Sequence, residues 1–318
     1  MKPILSLLKN LCTLTSRFKQ KKLSILIYHR VLNEPDFMNP WEVDKRIFSW
    51  QMELLAKYFN VLSLDEALQR LENNTLPARS VCITFDDGYA DNCENALPIL
   101  LANNLKATFF IATDFLDGGR MWNDTITETV RNLNEAKLDL TKLGYGIFDI
   151  ETTEQKSNAA SNIISKVKHL SPSERTRHVA YIAEQCDGLP DNLMMTTRQL
   201  IKLRDAAMEI GGHTRSHPIL ASLDIDSASE EIAENKKILE TKLNKKIRFF
   251  AYPNGKPGKD YLPEHVEIVK NIGYEAAVST SFGVSNKQSD KWQLARATPW
   301  DHTPEKFMLR MVRFFAQK

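Results

Sequence analysis

At 318 residues, 42% hydrophobic and 26% charged, the chain has an ordinary globular composition, long enough for one α/β barrel with insertions or for two smaller domains. A formal net charge of +2, with acids and bases interleaved through most of the sequence, excludes a nucleic-acid-binding reading. Cys12, Cys82, Cys93 and Cys186 have no CxxC spacing, which excludes a zinc knuckle and a disulfide framework; Cys82, in an apolar run, reads as a small core residue.

The first 22 residues break the charge balance, since Lys2, Lys9, Arg17, Lys19, Lys21 and Lys22 come with no acid. Ile4, Leu5, Leu7, Leu8, Leu11, Leu14 and Phe18 recur at helical spacing and predict an amphipathic basic helix. Lys9 and Asn10 interrupt the apolar stretch and no small-residue cleavage site follows, which argues against a secretory signal. No run approaches the ~20 apolar residues that span a bilayer. Packing of this helix on the folded domain is the first expectation, and peripheral membrane contact through residues 1–22 is the second. The expected location is the cytoplasm, with inner-membrane association as its variant.

Residues 23–318 read as a single barrel domain. A β-rich run, Leu23 to His29, precedes an amphipathic stretch from Asp44 to Phe59 and a short strand at Val61 and Leu62. Ser63 and Glu66 form a capping box for a helix ending near Glu72. Ser80 to Phe85 is a buried strand, Tyr89 to Asn103 a helix, and Ala107 to Ala112 a strand rich in aromatic and β-branched residues. From 121 to 203 the alternation stops, and polar helix-forming sequence predicts a helical insertion. Strands at Ala207 to His213, Ile247 to Ala251, Ala276 to Ser279 and Gln293 to Ala297 then alternate with helices at Asp226 to Leu243 and Pro263 to Ile272. Thr303 caps a last helix with Pro304 at its first position. Such alternation implies a mainly parallel sheet, closed or nearly closed into a barrel.

Polar clusters fall at strand ends, where a β/α barrel builds its site. The first is Thr84-Phe85-Asp86-Asp87-Gly88-Tyr89. Adjacent strand residues point to opposite faces, so two carboxylates serve one site only where the strand breaks, and Gly88 permits that break. A metal on Asp87 would let Asp86 stay ionised as a base. The second cluster, Gly211-Gly212-His213-Thr214-Arg215-Ser216-His217-Pro218, sets two His at i and i+4, able to converge on one ion with Zn–N near ~2.0–2.1 Å. Thr214 is placed to orient one of them. His169, His178, His265 and His302 are expected at the surface. The third cluster, Phe250-Ala251-Tyr252-Pro253-Asn254-Gly255, is a sharp turn that can present backbone N–H groups to an oxyanion, with Tyr252 and Asn254 as candidates.

Together the clusters resemble the polysaccharide deacetylase family, or NodB-homology domain: TFDDGY at 84–89, HTRSHP at 213–218 and YPNG at 252–255 match its motifs in order, and ATFFIAT at 107–113 resembles the strand between them. The resemblance covers roughly residues 23–300. It implies a distorted (β/α) barrel of about seven strands, a divalent metal, most often Zn2+, held by Asp87, His213 and His217, and deacetylation of an N-acetylated glycan with Asp86 as the base. The family's usual third-motif Arg, which orients that Asp, is replaced by Ala251, and Arg296 resembles a fourth-motif Arg that takes this role in a subgroup. No C-terminal Leu-x-His stands out. Ile27-Tyr28-His29-Arg30 instead resembles permuted members in which an N-terminal His supplies the general acid, while a capping core His is the plainer reading of His29.

Trp41, Trp122, Trp292 and Trp300 are candidate sugar-stacking residues, and Trp122, which opens the insertion, is the expected substrate wall. Two alternatives stay open. Two His and a carboxylate also describe non-haem iron oxygenases, which sit on β-sandwiches. A catalytically degenerate sugar-binding module is suggested by Ala251 and Asn254.

Overall fold

The computed structural model describes residues 2–17 and 21–317. Its first element, α1 (Lys2–Arg17), is the expected N-terminal helix; Phe18 and Lys19 lie outside the described residues. After β1 (Leu23–Tyr28) comes a two-residue parallel pair absent from the sequence reading, β2 (Val31–Leu32) and β3 (Val43–Asp44). Asp44 then caps α2 (Lys45–Tyr58) by accepting the Ile47 N–H. β4 (Asn60–Val61) and the Ser63-capped α3 (Leu64–Glu72) lead to β5 (Ser80–Phe85). The segment expected as one helix from Tyr89 to Asn103 is a π turn, Asn92–Ala96, that runs into α4 (Leu97–Ala102). Pro98 in the first turn of α4 has no N–H to bond back to Glu94, so a uniform α-helix cannot pass through it.

β6 (Thr108–Ile111) is followed by the interruption. There α5 (Trp122–Asn132), an antiparallel pair of β7 (Lys137–Asp139) and β8 (Ile147–Asp149), α6 (Thr153–Val167) and α7 (Pro172–Ala183) gather around Ile126, Val130, Leu138, Ile150, Ile163 and Ile182. The helical expectation missed the β7–β8 pair because most of its side chains face outward. α8 (Thr197–Asp205) begins within the expected insertion yet packs beside β9 (Glu209–Gly212). The remaining elements are α9 (Ile225–Leu243), β10 (Phe249–Ala251), α10 (Pro263–Asn271), β11 (Ala276–Phe282), β12 (Leu294–Arg296) and α11 (Pro304–Ala316), the last capped by Thr303. His265 is buried rather than superficial. In the first turn of α10 its Nδ1 accepts the Leu262 N–H at 2.9 Å, the place a capping Glu or Gln would take. His178 is half-buried, 2.7 Å from the Tyr145 hydroxyl.

Parallel pairing runs in the order β1-β5-β6-β9-β10-β11-β12, with β4 beside the start of β5. The ends of this path meet where the Ile27 N–H donates to the Ala297 carbonyl and the Ala297 N–H to that of Ile25, giving a nearly closed barrel. Strand alternation sorts the side chains. Leu23, Ile25, Cys82, Phe110, Ala251 and Val278 fill the interior together with Leu64, Ala67 and Leu71 of α3, which plug its N-terminal mouth. Leu26, Tyr28, Ile83, Phe85 and Phe250 pack outward against the helices. With one mouth plugged, the C-terminal strand ends are where a site can open.

Candidate metal and catalytic site

Asp86 and Asp87 follow β5 directly. Asp86 continues the inward alternation of Cys82 and Thr84. Asp87 adopts φ +74 and Gly88 φ +94, so the strand breaks and the second carboxylate turns toward the same opening. Left-handed backbone at Asp87, Thr214, His217 and Asn254, none of them glycine, concentrates backbone strain at this end of the barrel. Arg296, fully buried at the end of β12, holds Asp86 through two parallel bonds, Nη1 to Oδ1 and Nη2 to Oδ2, both 2.7 Å. Its Nε donates to the Ser279 carbonyl at 2.9 Å, so the guanidinium is itself fixed. Burial pushes the Asp86 carboxyl up, but Arg296 and then His213 outweigh it and hold the group below the usual carboxylate range.

The histidines come from the loop after β9. A Cβ at Gly211 would lie 2.4 Å from a Phe110 ring carbon, and one at Gly212 2.5 Å from Asn235 Oδ1, so only glycine lets β9 sit this close to its neighbours. Asn235, buried on α9, accepts the His213 N–H at 3.2 Å and donates to the carbonyls of Ile111 at 2.9 Å and Thr214 at 2.5 Å. One turn earlier, Glu231 accepts the N–H groups of Arg215 at 2.8 Å and Ser216 at 2.9 Å. Thr214 links the two histidines, its hydroxyl donating to the His213 carbonyl and accepting the His217 N–H at 3.2 Å. Sequence reasoning found the histidines and missed Asn235 and Glu231. Their signal was a polar pair spaced i, i+4 on a helix that must bury one face.

Asp87, His213 and His217 bring one ligand atom each within 4.8 Å of one another, a candidate divalent-metal site among the described residues. The bonding pattern fits a cation. His213 Nδ1 lies 2.7 Å from the Ala251 carbonyl, which makes that nitrogen the N–H donor and turns the Nε2 lone pair inward. That Nε2 and His217 Nε2 each lie 3.3 Å from Asp87 Oδ1, a buried oxygen with no hydrogen-bond partner among the described residues. Acceptors facing one another at that distance call for a positive charge between them. The imidazoles respond in opposite ways. Burial pushes His217 down to about 4, whereas at His213 burial is outweighed by the carboxylates of Asp86 and Asp87, which carry it above its ordinary value. Asp87 is held well below the carboxylate range because both imidazoles outweigh its burial.

A cavity of about 400 Å3 opens over this group. Its wall includes His29, Asn254 and Trp122, together with Ala160, Ser161, Ile164 and Lys168 of α6 or its C-terminal end, so the interrupting block forms one side of the cleft. His29 follows β1 and also borders a smaller cavity of about 180 Å3 lined by Trp41, Glu42 and Trp300. A positive charge on His29 would favour the ionised carboxylates of Asp86, Asp87 and Glu42, and Glu42 receives the Arg30 N–H at 3.2 Å. The Asn92 amide donates to the His29 carbonyl at 2.8 Å, so the π turn braces this strand end. Tyr252 is placed differently from expectation. Its ring stacks on Tyr261 at 3.8 Å in the core, its hydroxyl donates to the Trp292 carbonyl and its N–H to Val278, so neither ring nor amide reaches the cavity. Trp292 packs against the core, which removes it from the sugar-stacking candidates. Asp124, which the sequence reading did not single out, lines the cavity; burial pushes it up to about 7 against Arg30 and the Tyr89 hydroxyl.

A sequence profile described as polysaccharide deacetylase matches residues 73–145 and 176–277, over half of the chain. The chain is similar, at 22% identity over 280 residues, to the Bacillus subtilis (strain 168) protein YxkH, a provisional polysaccharide deacetylase, covering 87% of this chain and 71% of that one. It is 29% identical over 177 residues to the poly-β-1,6-N-acetyl-D-glucosamine N-deacetylase of Staphylococcus aureus (strain MRSA252), covering 50% and 57% of the two chains. Among solved structures, the Streptococcus pyogenes deacetylase PplD in complex with acetate superposes with a TM-score of 0.62 at 21% identity, covering 92% of this chain and 99% of that one. IcaB from Ammonifex degensii does so with 0.58 at 18%, covering 93% and 97%. These likenesses carry the fold.

Proposed function

We propose that this chain, which belongs to the polysaccharide deacetylase family, is a zinc-dependent hydrolase that removes N-acetyl groups from amino sugars of a polysaccharide or glycan precursor. The observation that carries the reading is one carboxylate, Asp87, sharing an oxygen between two imidazoles beside a second, Asp86, that is kept ionised by Arg296. Two imidazoles and a carboxylate with a position left open suit zinc. Held by Asp87, His213 and His217, the ion would polarise the acetyl carbonyl and acidify water to a pKa of ~7. Asp86 accepts the proton of the attacking water. A backbone N–H near Asn254, at the cavity wall, meets the developing oxyanion. His29, at the cavity wall, delivers a proton to the departing sugar amine so that the C–N bond breaks. Trp122 and α6 hold the glycan from the side.

Two other readings fit less well. An oxygenase site called for a β-sandwich, and the sheet is a parallel barrel. A degenerate binding module has no use for a buried Asp86–Arg296 pair, which is costly to desolvate. The Staphylococcus relative acts, by its name, on poly-β-1,6-N-acetyl-D-glucosamine, so N-acetylglucosamine oligomers are the first substrates to try. The test is acetate release from them by chelator-treated protein resupplied with zinc or cobalt. Wild type should turn over, and Asp86→Asn should lose roughly 10²–10⁴-fold while retaining its metal. No acetate with any metal, or undiminished turnover in the variant, overturns the reading.

A further inference from the structure

α1 has two apolar stripes, and the barrel covers only one. Leu5, Leu8 and Cys12 face inward, in a seam closed by Ser16, and join the core beside α11. Ile4, Leu7, Leu11 and Leu14 form the other stripe at spacings of i, i+3, i+7 and i+10, and they are 53%, 60%, 39% and 66% exposed. The helix is not loosely attached: the Ser16 hydroxyl accepts the Arg79 backbone N–H at 3.0 Å, the Thr13 hydroxyl accepts from the Arg79 guanidinium, and just beyond the helix Lys22 donates to the Phe315 carbonyl at 2.9 Å. The open stripe therefore belongs to the docked helix. On the neighbouring α11, Leu309 is exposed as well, between exposed Lys306 and Arg313.

Charge selects the occupant. Through Lys22 the sequence carries six basic residues and no acid, of which Lys22 is buried, and α11 adds the exposed Lys306 and Arg313 against Glu305, its Arg310 being paired with Asp301. A second copy of the chain would bring the same positive charge to the contact, which opposes self-association. An anionic bilayer surface offers what both features need: hydrocarbon for four aliphatic side chains and phosphate headgroups for the flanking Lys and Arg. No helix among the described residues is long and apolar enough to cross a membrane. We propose that α1, with the exposed edge of α11, is a peripheral docking surface for membranes that carry anionic phospholipid. One aliphatic stripe and a few charges give reversible attachment, not permanent anchoring.

The test is co-sedimentation of the full chain with vesicles of phosphatidylcholine, with or without a minority of phosphatidylglycerol. The protein should pellet with the anionic vesicles, far less with neutral ones, and be released by raised salt. Leu7→Glu/Leu11→Glu should weaken this binding by at least about tenfold, because two buried aliphatic chains become charged. Both positions are solvent-facing, so the melting temperature of the variant should match wild type. Arg17→Glu/Lys21→Glu should weaken binding while leaving the aliphatic stripe intact. Failure of wild type to pellet with anionic vesicles overturns the proposal, as does equal binding by the Leu variant. A wild-type dimer that the Leu variant dissolves, without vesicle binding, would give the stripe to a second copy and overturn it too.

Discussion

Arg296 and Asp86 are each almost wholly desolvated, and they form a bidentate ion pair with both bonds at 2.7 Å. For Asp86 the sign of the effect is clear: burial alone would raise its carboxyl, and Arg296 is the largest influence lowering it. Arg296→Met should therefore let burial prevail, so that Asp86 is ionised only at higher pH. The acid limb of the kcat/KM profile should move up by at least about one unit, with stability falling by ~3–5 kcal/mol from the buried charge left unpaired. Arg296→Lys should recover part of both, since it restores charge without the bidentate grip. An unmoved acid limb in the Met variant would separate Arg296 from the ionisation of Asp86. On the other side of the chemistry, His29→Ala should lower kcat by roughly 100-fold or more with zinc still bound; a change within twofold would return His29 to a structural part. At this scale the sequence was readable wherever a residue type has few structural uses, as with Asp87, His213 and His217. Tyr252 misled because an aromatic beside a motif turn packs equally well inward, and no short pattern separates the two.

At the scale of elements, α9 is a rivet for the loop that carries both histidines. Asn235 saturates three backbone groups around His213 and Thr214, and Glu231 takes the next two amides, so the loop keeps its left-handed residues without help from the ligands. Asn235→Ala would strand those buried groups at ~1–3 kcal/mol each and free the loop to relax. Zinc affinity should then fall by about 10–100-fold, read by competition with a chromophoric chelator, while Asp86 keeps its place on β5. Unchanged affinity would show that the loop holds itself. Barrel strands were legible because continuous burial on both faces writes them as apolar runs. The β7–β8 pair and the π turn were not. The first puts mostly polar residues outward, and the second follows from a proline whose effect depends on how the preceding turn packs.

For the molecule as a whole, the open end of the barrel gathers the little-exposed Asp86, Asp87, His213 and His217, an arrangement that a bound cation should stabilise in the native state alone. Linkage then predicts that zinc at a thousandfold excess over its Kd adds ~4 kcal/mol to unfolding. In a chain of this size that is a rise of roughly 5–15 °C in Tm by thermal melting of chelated against zinc-loaded protein. Protons compete for the same lone pairs. Because His213 is carried above its ordinary value in the ion-free site, a proton occupies it through the acidic range and must leave before a ligand bond forms. The zinc-induced rise should accordingly be larger at pH 8 than at pH 6, and Asp87→Ala should remove most of it. A rise of equal size in that variant would place the stabilising ion elsewhere on the barrel. A rise indifferent to pH would mean that His213 is not among the groups the ion displaces a proton from.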